Sequence, residues 1–335
     1  MLDFFDSYLK NRTYRTKVNG KFSKYITSNR GVGQGTNLGP LFFNIFVNDV
    51  ERVIEHCRIF IYADDLVLVK SSRDLNLLKN CINSDLDNLY QFFSRNNQYV
   101  NFTKTQAMLF TRKKNVDLTI SMNSISIQFV EEFTYLGLTI DKKLTFKTHI
   151  SNISKKVNQA NGKIYYLKRF LPIFALKKIF YSLVYSHLNL HILCWGGTYN
   201  SHLNPLIVSV NKTIRNVYPT DDRTNLKYQK LKILTVPQIY NLRLAEFFFR
   251  LTKLNENILL YDILNEITFN HSHNTRHICD YRLPAISTDI NKHFFLTNAI
   301  KFWRTLSLDI RNSTSIQSFR FKIKNLYFNQ DSLDT

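Results

Sequence analysis

Tyr62-Ala63-Asp64-Asp65 sets two adjacent carboxylates between two short runs of β-branched and aromatic residues, within RIFIYADDLVLVK (58–70). That pattern predicts a tight hairpin with both aspartates at its tip. Neighbouring like charges repel, and an apolar setting raises the cost, so the pair calls for a counter-cation. Carboxylate oxygens suit hard divalent ions such as Mg²⁺. Phosphoryl and nucleotidyl transfer commonly use two of them, about 3.5–4 Å apart. One ion would lower the pKa of an attacking 3′-hydroxyl, and the other would steady a triphosphate and its departing pyrophosphate. An exposed Asp-Asp turn without chemistry has the same spelling, and on these four residues the two readings stand level.

The elements that must hold this tip can be read around it. Leu2, Phe5 and Leu9 predict a short amphipathic helix. Two strand-like runs flank Asn19-Gly20, a strong hairpin signal, because a type I′ turn needs positive φ at both central residues. A glycine-rich turn, GVGQGTNLGP (31–40), leads into a predicted helix from Leu38 to about Glu55, with Pro40 in its first turn. After the Asp-Asp hairpin comes a long amphipathic helix over about 73–94, with Leu78, Cys81, Ile82, Leu86 and Leu89 on one face. Short strands are expected near 106–111, 117–121 and 124–129, and a strand pair around 133–140. From about 146 to 265 helical periodicity dominates, with Pro172, Pro205, Pro219 and Pro237 as expected breaks. Two further helical patterns lie near 289–305 and 315–328.

Composition bounds what this arrangement can be. The chain has 335 residues, 44% hydrophobic and 14% aromatic, too apolar for a disordered protein. Its four cysteines lie far apart with no C-x-x-C pair, which argues against a disulfide framework or thiolate zinc site and points to a reducing setting. The opening MLDFFDSYLKNR does not read as a secretory signal. The most apolar stretch, 179–197, is interrupted by Ser182, Ser186, His187, Asn189 and His191 and reads as a buried helix, not a membrane span.

The formal net charge is +20. An A/T-rich gene would favour lysine, but codon bias alone should spread the excess evenly. Residues 1–140 hold 17 Lys+Arg against 13 Asp+Glu, 141–232 hold 16 against 3, and 233–335 hold 12 against 9, so the middle stretch is an electrostatic surface. Lys155, Lys156, Lys163, Lys168 and Arg169 recur there through a helical stretch whose inner side carries Ile150, Ile153, Val157 and Ile164, with Tyr165 and Tyr166 interleaved. Cations bind phosphates and aromatics stack on bases, so nucleic acid is the expected partner.

In order along the chain, the motifs resemble a known family. Ser7-Tyr8-Leu9-Lys10-Asn11-Arg12 and Val18-Asn19-Gly20 are followed by Gly31-Val32-Gly33-Gln34-Gly35-Thr36-Asn37-Leu38-Gly39-Pro40, then Tyr62 to Asp65. Val100 to Thr105, Tyr135-Leu136-Gly137, Leu171-Pro172 and Trp195-Gly196 come next. Together they are similar to motifs B, C, D and E and the later landmarks of the reverse transcriptases of non-LTR (LINE-type, jockey-like) retrotransposons. The resemblance implies an α+β fold: part of a right-hand polymerase palm over 1–140, an all-α basic thumb and connection over 141–270, and a helical C-terminal region over 271–335. It implies an RNA-directed DNA polymerase that extends a DNA primer on an RNA template, using deoxynucleoside triphosphates and two Mg²⁺ ions, with Mn²⁺ as a substitute.

By the same resemblance Asp64 and Asp65 are the metal ligands, and Lys104 protonates the departing pyrophosphate. Gln34, Gly35, Thr36, Tyr62 and Ala63 line the nucleotide and template pocket, and Tyr135, Leu136 and Gly137 form the primer grip. Lys155, Lys156, Lys163, Lys168 and Arg169 hold primer and template. The expected setting is a ribonucleoprotein in nucleus and cytoplasm, with no membrane.

Several departures qualify this. Gly33 stands where the family has proline, and Thr36 where it has serine, which keeps the hydroxyl but loosens the turn. No residue matches the family's motif A aspartate, which bridges both ions. Asp3 and Asp6 lie in the segment that follows motif A. The expectation is therefore an N-terminally truncated copy without fingers, its upstream endonuclease and fingers belonging to an intact polyprotein. Such a copy polymerises weakly, or is a catalytically dead fragment that binds RNA or primer–template. His271, His273, His277 and Cys279 form a zinc-like cluster of unfamiliar spacing and are read as a loop beside Thr275-Arg276. Trp303 is read as core.

Overall fold

The computed structural model describes residues 2–28, 31–33, 35–113, 116–253, 281 and 293–329. The chain is a mixed α+β protein, mostly helical with small two-stranded sheets. It divides into two compact units, Met1–Val130 and Glu131–Thr335.

The first unit opens with helix α1 (Leu2–Leu9). Strand β1 (Arg12–Tyr14) pairs with β4 (Ile26–Ser28), and β2 (Lys17–Val18) pairs with β3 (Lys21–Phe22) between them. Asn19 and Gly20 take φ of 48° and 81°, the two left-handed positions that the Asn-Gly signal required. Helix α2 (Gly39–Val47) follows, and its expected extension to Glu55 is instead a 3-10 turn, Asn48–Val53. Asn48 and Asp49 are weak helix formers, and the tighter winding fully buries Val50. Strands β5 (Arg58–Tyr62) and β6 (Asp65–Val69) form the expected hairpin.

Helix α3 (Leu75–Arg95) starts at an Asp74 cap, whose carboxylate accepts from the Asn76 amide at 2.8 Å and the Leu77 amide at 3.4 Å. Strands beyond it are shorter than the patterns suggested. Strand β7 (Gln106–Ala107) runs parallel to β10 (Gln128–Phe129), and β8 (Ser121–Met122) pairs with β9 (Ile125–Ser126). Val50, Leu86, Leu89, Ile120, Met122 and Ile127 make the unit's small core.

The second unit begins with the hairpin of β11 (Glu132–Tyr135) and β12 (Leu138–Asp141). The Asp141 carboxylate then accepts from the amides of Lys143, Thr145 and Phe146, the last at 2.6 Å, and so turns the chain into α4 (Lys147–Leu167). Next come α5 (Ile173–Phe180), a π-helical turn (Tyr181–Tyr185), α6 (Ser186–Asn189) and α7 (Ile192–Trp195). The expected single buried helix over 179–197 is corrected: Phe180, Val184, Leu188, Ile192 and Trp195 are buried, while Tyr181 and Leu190 face solvent, and the stretch is not one helix. Leu190 is extended and His191 sits at φ 53°, which breaks the winding.

Helices α8 (Asn200–Val217), α9 (Thr224–Leu231) and α10 (Val236–Lys253) continue. Pro205 does not end α8. It lies one turn from the start, where a single i→i−4 bond is lost. Pro172 and Pro237 do mark helix starts, as expected. Helices α11 (Phe295–Thr305), α12 (Leu308–Arg311) and α13 (Ile316–Asn329) join the same core. Phe249 stacks on Phe319 with ring centroids 4.5 Å apart, and Trp303 is buried beside Phe248 and Phe319. Gly196-Gly197 owes its composition to Tyr240. A Cβ at either position would fall within 2.5 Å of that ring or its hydroxyl. The His271, His273, His277 and Cys279 cluster lies outside the described residues.

Candidate active site and nucleic-acid interface

The β5–β6 register pairs Tyr62 with Asp65, so Ala63 and Asp64 form the turn. Ala63 has φ 52°, a left-handed conformation that sets the tip backbone. Both carboxylates are solvent-exposed, as are Tyr62 and Ala63. The expected burial in an apolar hairpin is therefore corrected: the tip projects outward, and water offsets the repulsion between the charges. Among the described residues neither aspartate makes an ion pair, and no cluster of three or more His, Cys, Asp or Glu side chains could hold a metal.

The foot of this hairpin is held by a group the motifs do not name. Asp85, fully buried on α3, accepts from the amides of Glu55 (3.0 Å), His56 (3.0 Å) and Cys57 (2.7 Å), the residues that lead into β5. Burial alone would raise the Asp85 pKa, but these amide bonds and the Cys57 thiol outweigh it and hold it below the usual carboxylate value. Burial, and then the Asp85 carboxylate, pushes the Cys57 thiol up to about 12. Lys70, just past β6, donates to the His56 carbonyl at 2.7 Å and closes the other side. The sequence carried a signal for Asp85: it lies four residues from both Cys81 and Leu89, on the apolar face of the helix.

The glycine-rich turn is pinned by Thr36. Its hydroxyl donates to the Gly33 carbonyl (2.8 Å) and accepts from the Gly39 amide (3.1 Å) and the Tyr8 hydroxyl (2.5 Å). The Tyr8 ring packs on Phe42, so α1, the turn and α2 form one piece. Arg12 adds a bond to the Gly31 carbonyl at 2.6 Å. Gly35 is exposed at φ 79°. Gln34 lies outside the described residues. Lys104 is exposed, on a turn where the Asn101 side chain and carbonyl both accept from its amide.

In the second unit, Leu136 (φ 47°) and Gly137 (φ 84°) are the turn of the β11–β12 hairpin, with Tyr135 and Leu138 paired behind them. His191 Nε2 donates to the Leu136 carbonyl at 2.8 Å, so its left-handed backbone serves to reach that turn. Beneath it, buried His149 accepts from the Thr139 amide through Nδ1, while its Nε2 has no partner. Burial first, then the charges of His191 and Lys156, lowers the His149 pKa to about 4. Lys155, Lys156, Lys163 and Arg169 are exposed on and just past α4. Lys168 is not: it donates to Asn216 Oδ1 at 3.0 Å and lies over the Tyr165 ring.

Residues 2–140 match the family described as reverse transcriptase (RNA-dependent DNA polymerase). The chain is 27% identical over 257 residues to the RNA-directed DNA polymerase from mobile element jockey of Drosophila melanogaster, covering 71% of this chain and 28% of that protein. It is 26% identical over 223 residues to a probable RNA-directed DNA polymerase from transposon BS (63% and 25%), and 22% identical over 263 residues to one from transposon X-element (74% and 28%), both from the same organism. The chain thus spans about a quarter of the length of these relatives.

Proposed function

Since the chain is a relative of the jockey-type non-LTR retrotransposon reverse transcriptases, with its RNA-directed DNA polymerase family segment at residues 2–140, we propose that it supplies the metal-holding tip, primer grip and template-binding surface of an enzyme extending a DNA primer on an RNA template. The observation that carries this is the Ala63-Asp64-Asp65 tip: two exposed, unpaired carboxylates on a turn whose foot is clamped by Asp85 and Lys70.

These oxygens fit Mg²⁺, an ion usually held by one or two carboxylates together with waters and substrate phosphates. When bound there, Mg²⁺ would activate the primer 3′-hydroxyl and neutralise the triphosphate. Asp64 would be the direct ligand and Asp65 its partner. A tip whose foot is held by Asp85 and Lys70 needs less reorganisation when substrate arrives. Gly35, beside Gln34, leaves room for template base and incoming nucleotide, and Thr36 fixes that turn. Lys104 donates a proton to the leaving pyrophosphate.

In this reading residues up to about 140 act as palm, and the helices beyond act as thumb. Tyr135, Leu136 and Gly137 hold the primer end. Lys155, Lys156, Lys163 and Arg169 take the backbone phosphates, while Lys168 shapes the surface through Asn216. The setting is a ribonucleoprotein of nucleus and cytoplasm. No described helix is long and apolar enough to cross a membrane.

A second reading is binding of primer–template without chemistry. It is favoured by the lack of a third carboxylate beside the pair among the described residues. Primer extension on poly(rA)/oligo(dT) with Mg²⁺ separates the two. Incorporation that disappears in Asp64→Ala and Asp65→Ala supports the enzyme. Binding without incorporation in the unaltered chain selects the second reading.

A further inference from the structure

The elbow between α4 and α5 inverts the usual sorting of apolar residues. Leu167 and Leu171 turn into the core and Leu176 is fully buried. The larger aromatics turn out: Phe170 and Phe174 are each 66% exposed, Tyr166 is 62% exposed and Tyr165 50%. Large aromatic rings dominate cores because they bury the most apolar area, so four of them facing solvent within ten residues form a patch that needs a partner.

The elbow itself is well fixed. The amides of Phe170 and Leu171 donate to the Leu167 carbonyl at 2.9 and 3.0 Å, and Pro172 starts α5. The outward rings are therefore set by ordered backbone. Charge identifies what they meet. Residues 164–178 carry Arg169, Lys177 and Lys178, besides the Lys168 held by Asn216, and no carboxylate. Lys178 lies 5.9 Å from the Phe174 ring centroid, and Tyr166 and Phe170 have centroids 5.5 Å apart.

We propose that this elbow is a stacking platform for unpaired nucleotides: Phe170 and Phe174 take base faces while the surrounding cations take the phosphates. The choice of single strand follows from the rings. A duplex hides its base faces and offers phosphates, which lysines alone can grip, whereas splayed bases offer π-faces to exposed aromatics. The inference rests on the nucleic-acid reading above and adds a second site, distinct from the lysines along α4.

The test compares the full chain with Phe170→Ala/Phe174→Ala and with Lys155→Glu/Lys156→Glu/Lys163→Glu. Fluorescence anisotropy would follow a labelled oligouridylate, the same strand with abasic sugars, and a blunt duplex of equal length. The phenylalanine variant should bind oligouridylate at least about tenfold more weakly. It should hold the duplex and the abasic strand within about twofold and keep the parent's salt dependence, because no phosphate contact is removed. Phe170→Tyr/Phe174→Tyr should restore binding, which controls for folding.

Unchanged oligouridylate affinity in the alanine variant overturns the platform, and so does an equal loss on strand and duplex. A dimer that becomes a monomer in that variant, with nucleic-acid binding intact, makes the patch a self-interface and also overturns it. If the lysine variant binds duplex as the parent does while the phenylalanine effect holds, the α4 reading falls and the platform stands. If the parent binds neither nucleic acid, both fall.

Discussion

Each of the two units of this chain is stabilised internally by different means. The helical unit buries Phe180, Trp195, Phe248, Phe249 and Phe319 in one continuous core. The first unit has a small core and leaves Phe22, Tyr25, Phe60, Ile61 and Tyr62 exposed. Five of the six two-stranded sheets among the described residues lie in it, and isolated pairs of strands are marginal. The proposed chemical tip thus relies on backbone hydrogen bonds and one buried carboxylate, while the proposed grip relies on packing. Gripping a polyanion calls for a firm surface. The tip needs only local order at two aspartates, which Asp85, Lys70 and the turn at Ala63 supply.

This contrast can be broken at either end. The largest effect belongs to the helical core. Phe248→Ala, which strips the partner of Trp303 and Tyr281, should cost about 3–5 kcal/mol in urea unfolding. Amide exchange over 1–130 should not change. Acid comes next. An unfolded His149 takes a proton near pH 6.5, whereas the folded one resists until about 4. The helical unit should therefore lose on the order of 3 kcal/mol as pH falls through that window. His149→Gln should remove most of the slope, and His187, also lowered by burial and Lys156, keeps the remainder.

Asp85 loses stability in the same direction but only lower on the pH scale. Its lowered pKa means that its contribution is complete above the ordinary carboxylate value and is lost only as pH falls below it. Asp85→Ala, which orphans three amides, should cost about 2–3 kcal/mol. It should speed amide exchange over 55–70 and leave the helical unit untouched. A smaller effect is expected at Gly137, where φ of 84° makes Gly137→Ala cost about 1 kcal/mol in the stability of the helical unit.

The sequence disclosed what is local. Asn19-Gly20 announced its hairpin, the Asp-Asp pair its tip, and the spacing of Leu78, Cys81 and Leu89 the inner face of α3. What it hid depends on contacts far along the chain. Asp85 is buried because amides thirty residues earlier converge on it. His191 breaks 179–197 because its ring reaches the carbonyl of Leu136. Thr36 was read as a pocket hydroxyl, and its partners Tyr8 and Gly39 are brought to it only by the fold. Hydrophobicity alone would also have turned Phe170 and Phe174 inward.

The division of labour is tested most directly by measuring primer–template affinity and nucleotide incorporation on the same preparations of the parent and of Asp64→Asn/Asp65→Asn. Both aspartates are exposed and unpaired, so the double variant should melt within about 0.5 kcal/mol of the parent. Affinity should stay within about twofold of the parent, with incorporation abolished. Incorporation that persists in the double variant, or affinity that collapses with it, would contradict the separation of chemistry from grip.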